Sequence, residues 1–258
     1  MTMGAMAEIR ELTDLTAFRA AADLFAEIWR PGPADHPANA DLMRALSKAG
    51  NYIAGAYDGD QLIGAAVAFF GPPGARLLHS HVAGVASPLR GLGQALKLHQ
   101  RDWALERGVT TIEWTYDPLI SRNAYFNLVK LGARPVEYLP NFYGEMNDGV
   151  NAGDESDRLL VHWDLTVPVG GREPATAGAA VALDRSGDDR PVAGAGDGAT
   201  VLVAVPSEIA KLKAADPALA RQWRLAVRSA LAPLLAGGAQ VTGFARDGWY
   251  VVTREAKS

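Results

Sequence analysis

The feature that most constrains this chain is a glycine-rich turn between a β-type run and a helix-type run. Residues 77–85 have the composition of a strand, and residues 88–107 carry apolar side chains at helical spacing before Gly108. Gly91 and Gly93 stand where the helix begins. Small residues there let a ligand approach the first N–H groups of the helix, where the helix dipole favours a negative charge. The stretch predicts a phosphate-binding turn or, as the alternative, a turn whose glycines only allow close packing.

Helix-type and β-type runs alternate on both sides of this turn. Apolar spacing predicts a helix over residues 13–29 and a second helix that Asn39 caps and Gly50 ends. A later helix is predicted from a Ser121 cap to a Gly132 terminator. The β-type runs lie at residues 52–57, 61–70, 77–85, 110–116, 134–139 and 158–165. This order favours a mixed α/β sheet.

The composition changes after residue 166. Gly, Pro, Ala and Asp dominate residues 168–200 with little periodicity, which predicts an irregular connector. Beyond it, a β-type run, a helix opened by Asp216-Pro217 and a hairpin around residues 246–248 predict a small α/β segment. We therefore predict a core at 1–166, a connector at 167–199, and a C-terminal segment at 200–258 that packs on the core or stands alone.

Two motifs give the sequence a resemblance to a known superfamily. The stretch from Arg90 to Ala95 resembles the R-x-x-G-x-G/A motif of the GNAT N-acetyltransferases at every defining position. Residues 121–133 resemble the later GNAT helix that ends in Leu-Gly-Phe. The likeness covers residues 13–165, and the whole chain resembles a poorly characterised bacterial GNAT branch with an extended C-terminal region. It implies an α/β (α+β) fold with a mixed, largely antiparallel sheet flanked by helices.

The resemblance also implies a co-substrate and the residues that bind it. In GNAT proteins the strand before the motif pairs with the pantetheine arm of CoA, and the loop amides bind the diphosphate. By that resemblance the CoA-binding residues are Val82, Ala83, Gly84, Val85, Arg90, Gly91, Leu92, Gly93, Gln94, Ala95 and Asn123. We expect acetyl-CoA or another acyl-CoA as co-substrate. The expected reaction is acyl transfer to the amine of a small molecule or an amino acid.

Amine acylation needs a base, and the strand that leads into the turn carries two imidazoles. His79 and His81 are two residues apart on one predicted strand, so they face the same way. Glu113 on the next predicted strand is a further candidate. The alternatives are that both histidines are only hydrogen-bonded within the sheet and that Glu113 is a solvated surface residue.

The general acid of the reaction is the point at which the sequence departs from the superfamily. Many GNAT enzymes carry a tyrosine four residues after the alanine of the later helix. That alanine is Ala124 here, and the fourth residue after it is Leu128. Tyr125 lies on another side of the helix, and Tyr143 lies in a polar loop, so either could donate the proton only with a changed geometry. A CoA-binding or small-molecule-sensing module without turnover is therefore the alternative function.

Composition excludes several other classes of protein. The 25 basic and 29 acidic residues are spread along the chain and give a net charge of −4, which argues against a nucleic-acid partner. No cysteine is present, and no apolar run reaches the length of a membrane span. The acidic residues Asp148, Asp154, Glu155 and Asp157 lack the alternation of a calcium loop, so no metal is expected. The N-terminus lacks the pattern of a secretory signal, which predicts a cytoplasmic protein.

A dinucleotide-binding enzyme is a third function that the glycine turn leaves open. Gly91 and Gly93 follow a predicted strand, and Glu113 comes about twenty residues later. Leu96 occupies the third glycine position and is too large for the close helix packing of that motif. A homodimer is compatible with the sequence and is also left open.

Overall fold

The computed structural model describes residues 7–30, 37–86, 89–144 and 154–254, and these form two compact units. The first unit contains the described residues up to Trp114 together with Asp164–Thr166. The second unit contains residues 115–144, 154–163 and 167–254. No helix in these described ranges has the length and apolar content that crossing a membrane requires. The start of the third helix at Pro88 and the acidic residue Asp148 lie outside the described residues.

The first unit is a sheet with helices on both faces. Its elements are β1 (Glu8–Glu11), α1 (Leu15–Trp29), α2 (Ala40–Lys48), β2 (Tyr52–Asp58), β3 (Gln61–Phe70), β4 (Leu77–Val85), α3 (Leu92–Glu106) and the first residues of β5 (Thr111–Tyr116). The strands follow the order β1-β2-β3-β4-β5, and each neighbouring pair is antiparallel except the parallel pair of β4 and β5. As predicted, the Asn39 side chain caps α2 by accepting a hydrogen bond from Leu42 N at 2.8 Å.

Alternation along the strands separates the two faces of this sheet. Ile53 and Val67 share a core with Phe18 and Phe25 of α1. The neighbouring residue Tyr52 points to the opposite face, where its ring lies 5.1 Å from the Trp103 ring of α3. The sheet is therefore covered by α1 and α2 on one face and by α3 on the other.

The pairing of β4 with its two neighbours is irregular at one point. Val67 of β3 pairs with Val82, whereas the next residue, Ala68, pairs with Ser80, so His81 is the extra residue of a β-bulge. The β4–β5 pairing comprises Leu77↔Thr111, Leu78↔Ile112 and His79↔Glu113. Within the described chain, β4 continues from Ser80 to Val85 with β3 on one edge and no strand on the other.

The second unit joins a short helical segment and a hairpin to a second sheet. Its elements are α4 (Ser121–Tyr125), a π-helical segment (Phe126–Leu131), β6 (Arg134–Leu139), β7 (Arg158–Asp164), β8 (Ala180–Arg185), β9 (Pro191–Ala193), β10 (Thr200–Ala204), α5 (Ile209–Ala215), α6 (Pro217–Ala236), β11 (Gln240–Ala245) and β12 (Trp249–Thr253). β6 and β7 are antiparallel, and the five-stranded second sheet has the order β11-β12-β10-β8-β9. The predicted fold class, a largely antiparallel sheet flanked by helices with a C-terminal α/β addition, is confirmed.

Several sequence predictions need correction. The segment 167–199, predicted to be irregular, contains the strands β8 and β9. β8 pairs with β10 and β9 pairs with β8, and this pairing holds both strands in the second sheet. Ser121 is the first residue of α4 and not its cap, because Ile120 occupies the cap position. The dinucleotide alternative is contradicted, because that motif requires a parallel sheet and the sheet here is mainly antiparallel.

A buried arginine of α6 holds the second unit together. The Arg224 side chain is 1% exposed and donates two hydrogen bonds to the Asp117 carboxylate at 2.8 and 2.9 Å and two to Asp154 at 2.8 and 3.1 Å. Burial by itself would raise the pKa of Asp117, but the hydrogen bonds and charge of Arg224 outweigh it and lower that pKa. One turn further along α6, Arg228 binds Asp157 and Glu155. Three residues of the acidic stretch therefore bind arginines.

Removing Arg224 should destabilise the protein strongly. Arg224→Met would leave the buried Asp117 carboxylate without its hydrogen-bonded arginine and Asp154 with only Lys213 as an ion-pair partner. We expect this loss to cost about 3–5 kcal/mol of unfolding free energy. Arg221→Met, at an exposed position of the same helix, is the matched control and should change stability by less than about 0.5 kcal/mol. Urea denaturation measures both, and equal stability of the two variants would contradict the role given to Arg224.

A buried lysine of α3 makes the stability of the first unit dependent on pH. Lys97 is 8% exposed, and burial lowers its pKa from 10.5 to about 7. Between these values the unfolded chain holds a proton that the folded chain has released, so stability should rise as the pH increases from about 7 to 10.5.

The test of this dependence is urea denaturation across that pH range. Lys97→Met should remove most of a rise of a few kcal/mol, because it removes the group whose pKa differs between the two states. Lys48→Met, on the exposed surface of α2, should keep the wild-type slope. A slope that Lys97→Met leaves intact would rule out Lys97 as its origin.

Candidate functional site

The glycine turn places an accessible helix N-terminus directly after β4. Gly91 caps α3 at a φ of +88°, a conformation that favours glycine, and the first helical hydrogen bond runs from Ala95 N to Gly91 O at 2.9 Å. The N–H groups of Leu92, Gly93 and Gln94 therefore lie ahead of the helical ladder. A Cβ added at Gly93 would meet no heavy atom within 4 Å, so the backbone is open to a ligand. Arg90 is exposed beside it.

The open edge of β4 leads into this helix N-terminus. From Ser80 to Val85 the strand pairs with β3 on one edge, while the pairs formed with β5 on the other edge stop at His79. Backbone N–H and C=O groups on such an edge can pair with an extended ligand that carries amides. Only residues 86–91 separate the end of β4 from the start of α3. The predicted pantetheine residues at 82–85 and diphosphate residues at 90–95 therefore lie close together along the chain, at the open strand edge and at the helix N-terminus.

Two imidazoles and a carboxylate lie together on the α1 face of β4. The Nδ1 atom of His79 lies 3.0 Å from Oε1 of Glu113, and the His79 ring stacks on Phe69 with centroids 5.0 Å apart. The His81 ring lies 5.9 Å from the same Phe69 ring and 6.5 Å from the His79 ring. Both imidazoles therefore do share a face, and Glu113 is paired with His79 rather than simply solvated.

The hydrogen-bond partners determine which ring nitrogens can act as bases. The Glu113 carboxylate accepts a hydrogen bond from Nδ1 of His79, so a neutral His79 keeps its lone pair on Nε2. The Pro37 carbonyl accepts one from Nε2 of His81 at 2.9 Å, so a neutral His81 keeps its lone pair on Nδ1. Each imidazole thus retains one nitrogen that can take up a proton.

The bulge decides on which face these imidazoles lie. If the register of Val82–Val85 continued along β3 without a bulge, His81 would lie opposite Ala68 and face α3, and Ser80 would lie beside Phe69. The extra residue reverses this arrangement, and it also leaves Val82 and Gly84 facing α1. A Cβ at Gly84 would lie 2.6 Å from the Trp29 indole, so glycine is needed there for α1 to approach β4.

The remaining predicted site residues lie in the second unit. Asn123 is exposed on α4, and Tyr143 is 45% exposed with its hydroxyl 3.0 Å from Oγ1 of Thr115. Leu128 is fully buried. The helix widens to a π-helix from Phe126, in which backbone hydrogen bonds span five residues, so Leu128 and Val129 both lie about one turn after Ala124. Neither side chain can donate a proton, and the roles of Asn123 and Tyr143 stay predictions.

The fold was compared with known proteins. No family model matches the sequence, and no curated protein matches it either. Among solved structures, the N-acetyltransferase from Staphylococcus aureus Mu50 is similar at 16% identity, over 62% of this chain and 99% of its own, with a TM-score of 0.50. The Salmonella typhimurium protein yncA, solved with its cofactor acetyl-CoA, is similar at 18% identity, over 62% of this chain and 95% of its own, with a TM-score of 0.50.

These structures share with this chain the fold that the Arg90-to-Ala95 motif predicts. At these identities the likeness concerns the fold, and more than a third of this chain lies outside it. The chain therefore has the fold of the GNAT N-acetyltransferases, extended by a second, C-terminal sheet.

Proposed function

We propose that this chain is an acyl-CoA-dependent N-acyltransferase that acylates the amine of a small molecule or an amino acid. The observation that carries the proposal is the unpaired edge of β4, which leads into the accessible N-terminus of α3. One long ligand with amides in its arm and a diphosphate at its end matches both features. The acetyl-CoA in the yncA structure supports the choice of ligand.

In this proposal, backbone groups of β4 and α3 and the charge of Arg90 bind different parts of acyl-CoA. Val82, Ala83, Gly84 and Val85 would offer backbone groups to the pantetheine arm. The diphosphate would be held by the N–H groups at the start of α3, with Arg90 adding a positive charge. Bound acyl-CoA supplies an acyl carbon activated by its thioester. Acetyl-CoA and other short acyl-CoAs fit this proposal equally.

The imidazole pair would supply the base. An amine attacks only when neutral, so the free nitrogen of His81 or His79 takes the proton of the substrate ammonium, and Glu113 orients His79. The neutral amine forms the new N–C bond and the C–S bond breaks. The nitrogen then loses its remaining extra proton, and the leaving thiolate gains one. Tyr143 is the predicted donor among the site residues, since Leu128 and Val129 have none to give.

This missing donor favours one alternative function. A CoA-binding or small-molecule-sensing module with the same fold would need the β4 edge and the α3 N-terminus, but it would not need a general acid. Release of free thiol from acyl-CoA, measured across a panel of amines and amino acids, distinguishes the two functions. Binding without thiol release for every acceptor would favour the sensing module. The cytoplasmic location and a homodimer remain predictions from the sequence.

A charge placed at the helix N-terminus should block CoA binding. Gly93→Glu puts a carboxylate where the diphosphate is proposed to lie, and the open space around Gly93 should accept the side chain without loss of stability. We expect the Kd for CoA to rise at least about tenfold in isothermal titration calorimetry, equivalent to about 1.4 kcal/mol.

The matched control is Gly187→Glu, which makes the same change in charge at another glycine with open space around it. It should leave CoA binding unchanged. If Gly93→Glu bound CoA as tightly as Gly187→Glu, the diphosphate would not lie at α3.

Removing the base should slow turnover more than it weakens binding. His81→Ala and His79→Ala each delete one of the two paired imidazoles, and loss of a general base costs about 10²–10⁴-fold in kcat. The readout is thiol release at saturating acyl-CoA, with His162→Ala on β7 as the control. Unchanged kcat in both variants would show that neither imidazole is the base.

A further inference from the structure

Lys97 is a buried cationic residue whose side chain ends beside the strand that carries the two imidazoles. Its Nζ donates hydrogen bonds to Oγ of Ser80 at 2.8 Å and to Oε1 of Gln100 at 3.3 Å. The same nitrogen lies 3.9 Å from the centroid of the Trp114 ring. Among the described residues, no carboxylate forms an ion pair with it.

Packing alone does not account for a lysine at this place. Desolvation of the ammonium is costly, and a methionine would fill similar space without that cost. The sequence showed no sign of this arrangement, because Lys97 stands at an ordinary position within the helical run. The contacts of its Nζ therefore suggest a role beyond filling the core.

The face of the sheet to which Ser80 points depends on the bulge. It lies between His79 and His81 in β4, and it pairs with Ala68 immediately after the shift in register. In regular pairing Ser80 would lie opposite Phe69 and face α1, out of reach of α3, and the two imidazoles would turn toward α3. With Val82–Val85 held in their observed register on β3, a bond from α3 to Ser80 therefore requires the bulge.

We propose that Lys97 is a positioning residue that stabilises the β4 bulge through Ser80 and so keeps His79 and His81 on the α1 face. Because Lys97 lies on α3, the same bond ties the imidazoles to the helix whose N-terminus would hold the CoA diphosphate. The inference rests on the proposed function for its catalytic consequence. The conformational part concerns the protein without ligand.

The experiment compares Lys97→Met with Ala104→Gly. Ala104 is fully buried in the same helix, and its change to glycine should destabilise α3 by about 1 kcal/mol without touching the Lys97–Ser80 bond. In the ligand-free protein, NMR should show altered His79 and His81 imidazole signals in Lys97→Met and wild-type signals in Ala104→Gly. Wild-type imidazole signals in a folded Lys97→Met would overturn the proposal.

Kinetics test the catalytic consequence. With the imidazoles displaced, kcat should fall about ten- to a hundredfold in Lys97→Met, while the Kd for CoA stays within about twofold of wild type. A fall in kcat no larger than that of Ala104→Gly would contradict the positioning role. If wild-type protein bound no CoA, the proposed function would fail, and the NMR comparison would still decide whether Lys97 controls the bulge.

Variants of Ser80 keep the test decisive if Lys97→Met does not fold. Ser80→Ala removes the acceptor of the bond, whereas Ser80→Thr retains a hydroxyl, so only Ser80→Ala should lower kcat. In a foldable Lys97→Met background, adding Ser80→Ala should cause little further loss, because both changes delete one bond. Equal kcat for Ser80→Ala and Ser80→Thr, or fully additive losses, would overturn the inference.

Discussion

The hydrogen-bond pairing of the β4 backbone on its two edges is the constraint on which the rest of the first unit depends. β3 pairs along almost its entire length, whereas β5 pairs with only its first three residues. The edge beyond His79 is accessible, and it is there that the bulge and the two imidazoles occur. The bulge, the open edge of β4 and the N-terminus of α3 thus follow one another along the chain. This order suits a long ligand that carries amides in its arm and phosphates at its end.

Each unit buries a basic side chain on a helix, Lys97 on α3 and Arg224 on α6, and the two are stabilised differently. Arg224 is neutralised by two carboxylates, so its charge is retained and its removal leaves buried anions. Lys97 has two neutral acceptors and an aromatic ring, and burial moves its pKa to about 7. The arginine cluster stabilises the second unit by pairing charges. Burial of Lys97 costs free energy of folding, and we interpret its hydrogen bond to Ser80 as the contact that stabilises the β4 bulge.

Much of the fold could be predicted from local patterns. The structure matches the predicted bounds of β3, β4 and β6, the Asn39 cap and the Gly132 terminator. These features could be predicted because alternation and capping depend on residues that are neighbours in the sequence. β8 and β9 were not predicted because they lie in a stretch dominated by Gly, Pro, Ala and Asp, and their pairing depends on β10 later in the chain. The π-helical segment was missed as well, since nothing in its composition distinguishes it from an α-helix.

For the site, the sequence by itself determined the glycine turn. Gly91 has the positive φ that favours glycine before a helix, and Gly93 keeps the helix start accessible because it has no side chain. It also determined that two imidazoles precede that turn. Only the tertiary structure decided which face they occupy, since a one-residue bulge reverses the alternation. Tertiary structure likewise brought Glu113 to His79 and Lys97 to Ser80, because these pairs are 34 and 17 residues apart and meet only when strands and helix pack.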